Sequence, residues 1–215
     1  MPPCPPVADY FNAATRPGWL WRWLTGRKMT YGNYQINGRP LRMDGMNNWM
    51  ASNKNPGANW EDFAKLRAEW KGNLVIKGIM DAEDAARAVN EGADGIFVSN
   101  HGGRQFDSQP ATIDVLPSIV EAVGGRAEIY LDGGIRRGHD IVKAVALGAK
   151  ATLAGHPFAY ALATGGEPAV DRVISILQEE LKGAMGFVGK SAVAGLDASI
   201  FAGDAQTAPA ESVPL

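Results

Sequence analysis

From residue 73 the hydrophobic pattern of the chain becomes regular. Four short apolar runs, NLVIKG, GIFVSN, EIYLDGG and ATLAG, alternate with stretches whose apolar positions return every three or four residues. The runs have strand length and the stretches have helix period. The stretches are DAEDAARAVNEGA, with acids in its first turn and Gly92 at its end, then ATIDVLPSIVEAVG, RGHDIVKAVALGA and HPFAYALATG. A final helix, EPAVDRVISILQEELKGAMGFVG, is apolar at 170, 173, 174, 177, 181, 184, 185 and 188, and Pro168 suits its first turn. Four strand–helix units in succession predict parallel strands joined by right-handed crossovers, an α/β fold. The runs are apolar throughout, as expected of strands covered on both faces.

The first sixty residues show no such period beyond a short helix around 17–25. They hold five of the six Trp (19, 21, 23, 49 and 60) and clusters such as NKNPGAN, and read as a long excursion rather than a packed layer. WEDFAKLRAEW, apolar at 60, 63, 66 and 70, predicts a helix leading into the first strand. The expected organisation is an irregular Trp/Pro/Gly-rich segment over 1–60, a βα body over 61–200 and a loose Ala-, Pro- and Ser-rich tail over 201–215.

Charge sharpens this division. The formal net charge is -2, so nothing global points to nucleic acid. Residues 1–43 nevertheless carry Arg16, Arg22, Arg27, Lys28, Arg39 and Arg42 against Asp9 alone, and the rest of the chain is acidic. One cysteine, Cys4, allows no intrachain disulfide and fits a reducing compartment. No stretch approaches the roughly 20 apolar residues of a membrane span, and the N-terminus lacks the pattern of a signal peptide. The expected localisation is cytoplasmic. RPGWLWRWLTGRK, 16–28, interleaves Trp19, Trp21 and Trp23 with cations and could lie on an anionic membrane surface. The alternation of its Trp suits an extended stretch, whereas a helix would spread them around its axis.

Each apolar run ends in chemistry that a structural turn does not need. The first ends in Lys77, the second in Ser99-Asn100-His101, the third in Asp132-Gly133-Gly134 and the fourth in Gly155-His156. In a parallel βα array these ends share one face, where such folds place their sites. DGGIRRG, 132–138, combines flexible backbone, two Arg and a helix start at Gly138. Free N–H groups at that helix start would suit a phosphate. No metal-ligating set is read from the sequence.

VIKGI, VSNHGGRQFD, LDGGIRRG and ALGA in this order resemble the flavin mononucleotide (FMN)-dependent α-hydroxy-acid oxidoreductases, the family of glycolate oxidase and the bacterial L-lactate and mandelate dehydrogenases. The resemblance is close over about 60–200 and looser in TRPGWLWRWLTG. It implies the second half of an eight-stranded TIM (β/α)8 barrel. His101 resembles the catalytic base, Arg104 the arginine that pairs with the substrate carboxylate, and Asp132 the partner of that histidine and a flavin contact. Lys77 resembles the lysine at the flavin's N1–O2 edge and Ser99 a hydroxyl contact to the flavin. Gly133, Gly134, Ile135 and Arg136 resemble the ribityl-phosphate cradle, with Gly155 and His156 as its second half. Such a set suits oxidation of a small 2-hydroxy acid, which needs a base, a carboxylate fork and an electron sink.

Two departures stand out. The family usually has Arg where this chain has His156, one donor in place of a charged fork. Only four strands are present, where a closed barrel needs about eight. A half-barrel exposes two strand edges and one apolar face, so the expected partners are a missing N-terminal half-barrel or a second copy. The expectation is thus an FMN-dependent oxidation of an L-lactate-like substrate by a truncated or split form. The alternatives are a non-catalytic half-barrel remnant that binds no flavin, and a different phosphate-binding barrel enzyme, which would have no need of SNHGGRQ.

Overall fold

The structure, a computed structural model, describes residues 7–26 and 30–201. The chain divides into two compact units, Met1–Ala58 and Asn59–Leu215. Residues 202–215, most of the segment read from the sequence as a loose tail, lie outside the described residues, as do Cys4, Arg27 and Lys28.

The first unit is more regular than its sequence pattern announces. It holds helices α1 (Val7–Ala14) and α2 (Pro17–Thr25), an antiparallel hairpin of β1 (Thr30–Ile36) and β2 (Arg39–Arg42), and helix α3 (Met43–Asn53). The reading of 1–60 as irregular is therefore corrected. Every residue of β1 is exposed, so the strand has no buried face to impose a period-two alternation. Its turn is legible only as Asn37-Gly38, both with positive φ. In α2, Trp19 and Trp23 stack at 6.3 Å, one helical turn apart, and Trp21 is 69% exposed. The Trp alternation therefore does not make this an extended stretch.

The second unit opens with α4 (Trp60–Glu69), capped by Asn59, whose side chain accepts from Glu61 N and Asp62 N. Four parallel strands follow in sequential order: β3 (Val75–Ile79), β4 (Gly95–Val98), β5 (Glu128–Asp132) and β6 (Ala151–Leu153). Between them run α5 (Ala82–Asn90), α6 (Thr112–Val123) and α7 (Gly138–Ala146). Asp81 caps α5, and Gly124 in the left-handed conformation ends α6. Helix α8 (His156–Phe187) is bent at Gly166, two residues before Pro168, which keeps the two predicted helices distinct.

The register fixes what each face of the sheet carries. Ile96, Val98, Ile129 and Leu131 point to the helix layer and form the core with Leu116, Ile119 and Val123, all at or near zero exposure. Val75, Lys77, Phe97, Glu128, Tyr130 and Leu153 fall on the opposite face. Among the described residues that face is not covered: Val75 and Leu153 are each more than 40% exposed. The expectation of strands covered on both faces thus holds for one face only. Phe97 and Tyr130 stack across the open side with ring centroids 4.9 Å apart.

Candidate active site

The strand ends of the second unit gather the chemistry. Lys77 on β3, Ser99 just past β4 and Asp132 at the end of β5 form one cluster. Lys77 Nζ donates to Ser99 Oγ at 2.7 Å and pairs with Asp132 Oδ2 at 2.7 Å, while Ser99 Oγ donates to Asp132 Oδ1 at 2.7 Å. A bulge in the β3–β4 ladder after Lys77, with Gly78 at φ 99°, returns Ile79 to the core. The Lys77 ammonium also lies 6.0 Å from the Phe97 ring centroid, over the open face.

The chain then makes a tight turn over His101–Gly103. His101, Gly102 and Gly103 have φ of 56°, 68° and 73°, three left-handed residues in a row. Two glycines adopt this freely, but for His101 it costs on the order of 1–2 kcal/mol. Local bonds sustain it: His101 N donates to Ser99 Oγ (3.2 Å), Gly102 N to Asn100 Oδ1 (3.0 Å), and Asn100 Nδ2 to the Pro110 carbonyl (3.2 Å). His101 and Arg104 are both exposed on this turn. The structure does not bring the His101 imidazole to Asp132, whose two oxygens are taken by Ser99 and Lys77. No hydrogen bond joins the two side chains, so the expected pairing is not made.

The glycine loop after β5 is tied from below. Thr112 Oγ1, buried at the start of α6, donates to the Gly133 carbonyl at 3.2 Å. Ile135 is buried in the core, which leaves its backbone alone to line the loop. Three N–H groups leading into α7 are not free, contrary to the sequence reading. Arg136 N and Arg137 N donate to Asp140 Oδ2 (3.0 and 2.9 Å), and Gly138 N donates to Glu180 Oε2 (2.9 Å). Glu180 also pairs with Arg137 at 2.6 Å. The Gly138 N–H bond, then the Arg137 guanidinium, hold the Glu180 carboxyl below the usual carboxylate range. On the open face the Glu128 carboxylate accepts from the Tyr130 hydroxyl and raises its pKa.

What remains available to an anion is the outer part of the cradle. Gly134 and Gly155 are exposed, and a Cβ on either would meet nothing within 4 Å. The Arg136 guanidinium, also exposed, has no ion pair among the described residues. His156 opens α8 and stacks on Tyr160, with centroids 6.1 Å apart. A Cβ on Gly102 would lie 3.5 Å from His156 Cε1, so the histidine turn and the last strand end adjoin. These donors and this open backbone fit a phosphate-bearing group at one end, with Lys77 toward an electron-rich one at the other. Sequence reasoning missed Thr112, Asp140 and Glu180. Glu180 lies 42 residues from its bond and leaves no local signal.

A parallel βα sheet with a lysine, a carboxylate, an imidazole and open glycine backbone at its strand ends has the layout of a βα-barrel enzyme rim. The chain belongs to the family of FMN-dependent dehydrogenases, whose family model matches residues 1–202. It is 42% identical over 193 residues to an L-lactate dehydrogenase of a Caulobacter species, covering 89% of this chain and 51% of that one. It is 43% identical over 185 residues to the L-lactate dehydrogenase of Pectobacterium atrosepticum, covering 85% and 48%. Among solved structures, the monotopic membrane protein (S)-mandelate dehydrogenase matches with a TM-score of 0.82 at 33% identity, over 89% of this chain and half of that one. A mandelate oxidase mutant with a monooxide FMN adduct matches with a TM-score of 0.61 at 48% identity, over 64% and 44%. The chain spans about half the length of the curated relatives it matches. No helix among the described residues is long and apolar enough to cross a membrane.

Proposed function

We propose that this chain carries the catalytic half of an FMN-dependent oxidation of a small 2-hydroxy acid, L-lactate-like, to the 2-oxo acid. The observation that carries this reading is the placement of the His101–Arg104 turn beside the Lys77–Ser99–Asp132 cluster and the open glycine cradle, in a chain of this family. Bound FMN would supply the two-electron sink. Gly133, Gly134, Ile135 (through its backbone), Arg136, Gly155 and His156 would hold its phosphate end, and Lys77 and Asp132 its polar ring and ribityl edge. Arg104 pairs with the substrate carboxylate by two parallel bonds and fixes the α-carbon. His101 takes the hydroxyl proton on its imidazole. The partners are a complementary half-barrel, or a second copy, closing over the open face that Phe97 and Tyr130 share.

Peripheral contact with the inner face of the cell membrane belongs to the same reading. It is supported by exposed Trp19, Trp21, Trp23 and Leu24 on a helix with Arg16 and Arg22, and by a relative described as monotopic.

Titration with FMN, read by quenching of flavin fluorescence, tests the cofactor. The chain alone should bind weakly, and the chain co-expressed with the preceding half of a relative tightly. Absence of binding in both would leave a half-barrel remnant without flavin.

A further inference from the structure

We infer that Ser99 is a positioning residue: its hydroxyl sets the backbone of His101 and the ammonium of Lys77, and gives no hydrogen bond to a bound flavin. The inference rests on the FMN reading and concerns how its parts are held. A serine hydroxyl has one hydrogen and two lone pairs. Asp132 Oδ1 takes the hydrogen, and Lys77 Nζ and His101 N–H fill the lone pairs. Ser99 is only 2% exposed, so its capacity is spent inside the protein. Lys77 has three donors. Ser99 and Asp132 take two, and the side chain stays 44% exposed, so one donor is left for a ligand. The bond to His101 N lies at the one non-glycine residue among the three left-handed ones of the turn. One oxygen thereby ties the ends of β3, β4 and β5 to the His101 backbone and to the Lys77 ammonium.

Two measurements on the 215-residue chain test this. The first is amide exchange at His101 by NMR. The wild type should be protected, Ser99→Ala should exchange about tenfold faster or more, and Ser99→Thr, which keeps the hydroxyl, should restore protection. The second is a double-mutant cycle on FMN affinity with Ser99→Ala and Lys77→Met. Ser99→Ala should weaken binding about tenfold in the wild-type background and less than about twofold once Lys77 is gone. An equal loss in both backgrounds would mean a direct flavin contact and overturn the inference. So would a wild-type His101 amide that exchanges like an unbonded one, a result that needs no variant to fold. A chain that binds no FMN under any condition contradicts the FMN reading instead, and the exchange measurement still decides the role of Ser99.

Discussion

His101 sits in a left-handed backbone conformation that non-glycine residues seldom adopt, and three bonds in and around the turn keep it there. Strain of this kind clusters at functional sites, which is why the site predictions centre on this residue. In a completed barrel, His101→Gln should lower turnover by about 10²–10⁴, as loss of a general base does. Arg104→Lys should act mainly on KM, because a point charge replaces a planar fork. Steady-state kinetics of the two variants separates these effects. SNHGGRQ was legible because seven adjacent residues carry most of the message. The company of Asp132 was not, because its partner Lys77 reaches it only through the register of three strands.

At the scale of elements, the βα alternation was legible because each helix buries one face against the sheet and each strand is a short apolar run. The hairpin of the first unit buries nothing along β1 and left no such trace. The start of α7 shows how a distant element overrides a local signal: a glycine-rich helix start reads as an anion site, but α8 brings Glu180 to it. A Cβ on Gly138 would lie 2.2 Å from Leu181 N, so Gly138→Ala should cost about 1–3 kcal/mol by overpacking, seen as a lower Tm. The same junction carries a pH signature. The folded pKa of Glu180 is depressed, so its contribution is complete above the ordinary carboxylate value of 4.5 and is lost as the pH falls through the lower folded value. The Tm difference between wild type and Glu180→Gln should therefore shrink below pH 4.5. A difference that stays constant down to pH 2 would contradict the bond.

At the largest scale, the second unit presents a sheet covered on one face and open on the other, with β3 and β6 as unpaired edges among the described residues. Such a face calls for a partner. The first unit adds a basic, Trp-bearing helix, and co-sedimentation with anionic vesicles should fall with salt and with Trp21→Ala plus Trp23→Ala. No sedimentation of folded protein at low salt would remove the membrane from the account. The central claim, that this rim oxidises a 2-hydroxy acid through flavin, is tested most directly by one anaerobic experiment. The chain is co-purified with a complementary half-barrel, L-lactate is added, and the flavin absorbance is followed. The account predicts that bound flavin is bleached by L-lactate, and that His101→Gln keeps its flavin but bleaches about 10²–10⁴ times more slowly. Flavin that no 2-hydroxy acid bleaches, or bleaching untouched by His101→Gln, would contradict it.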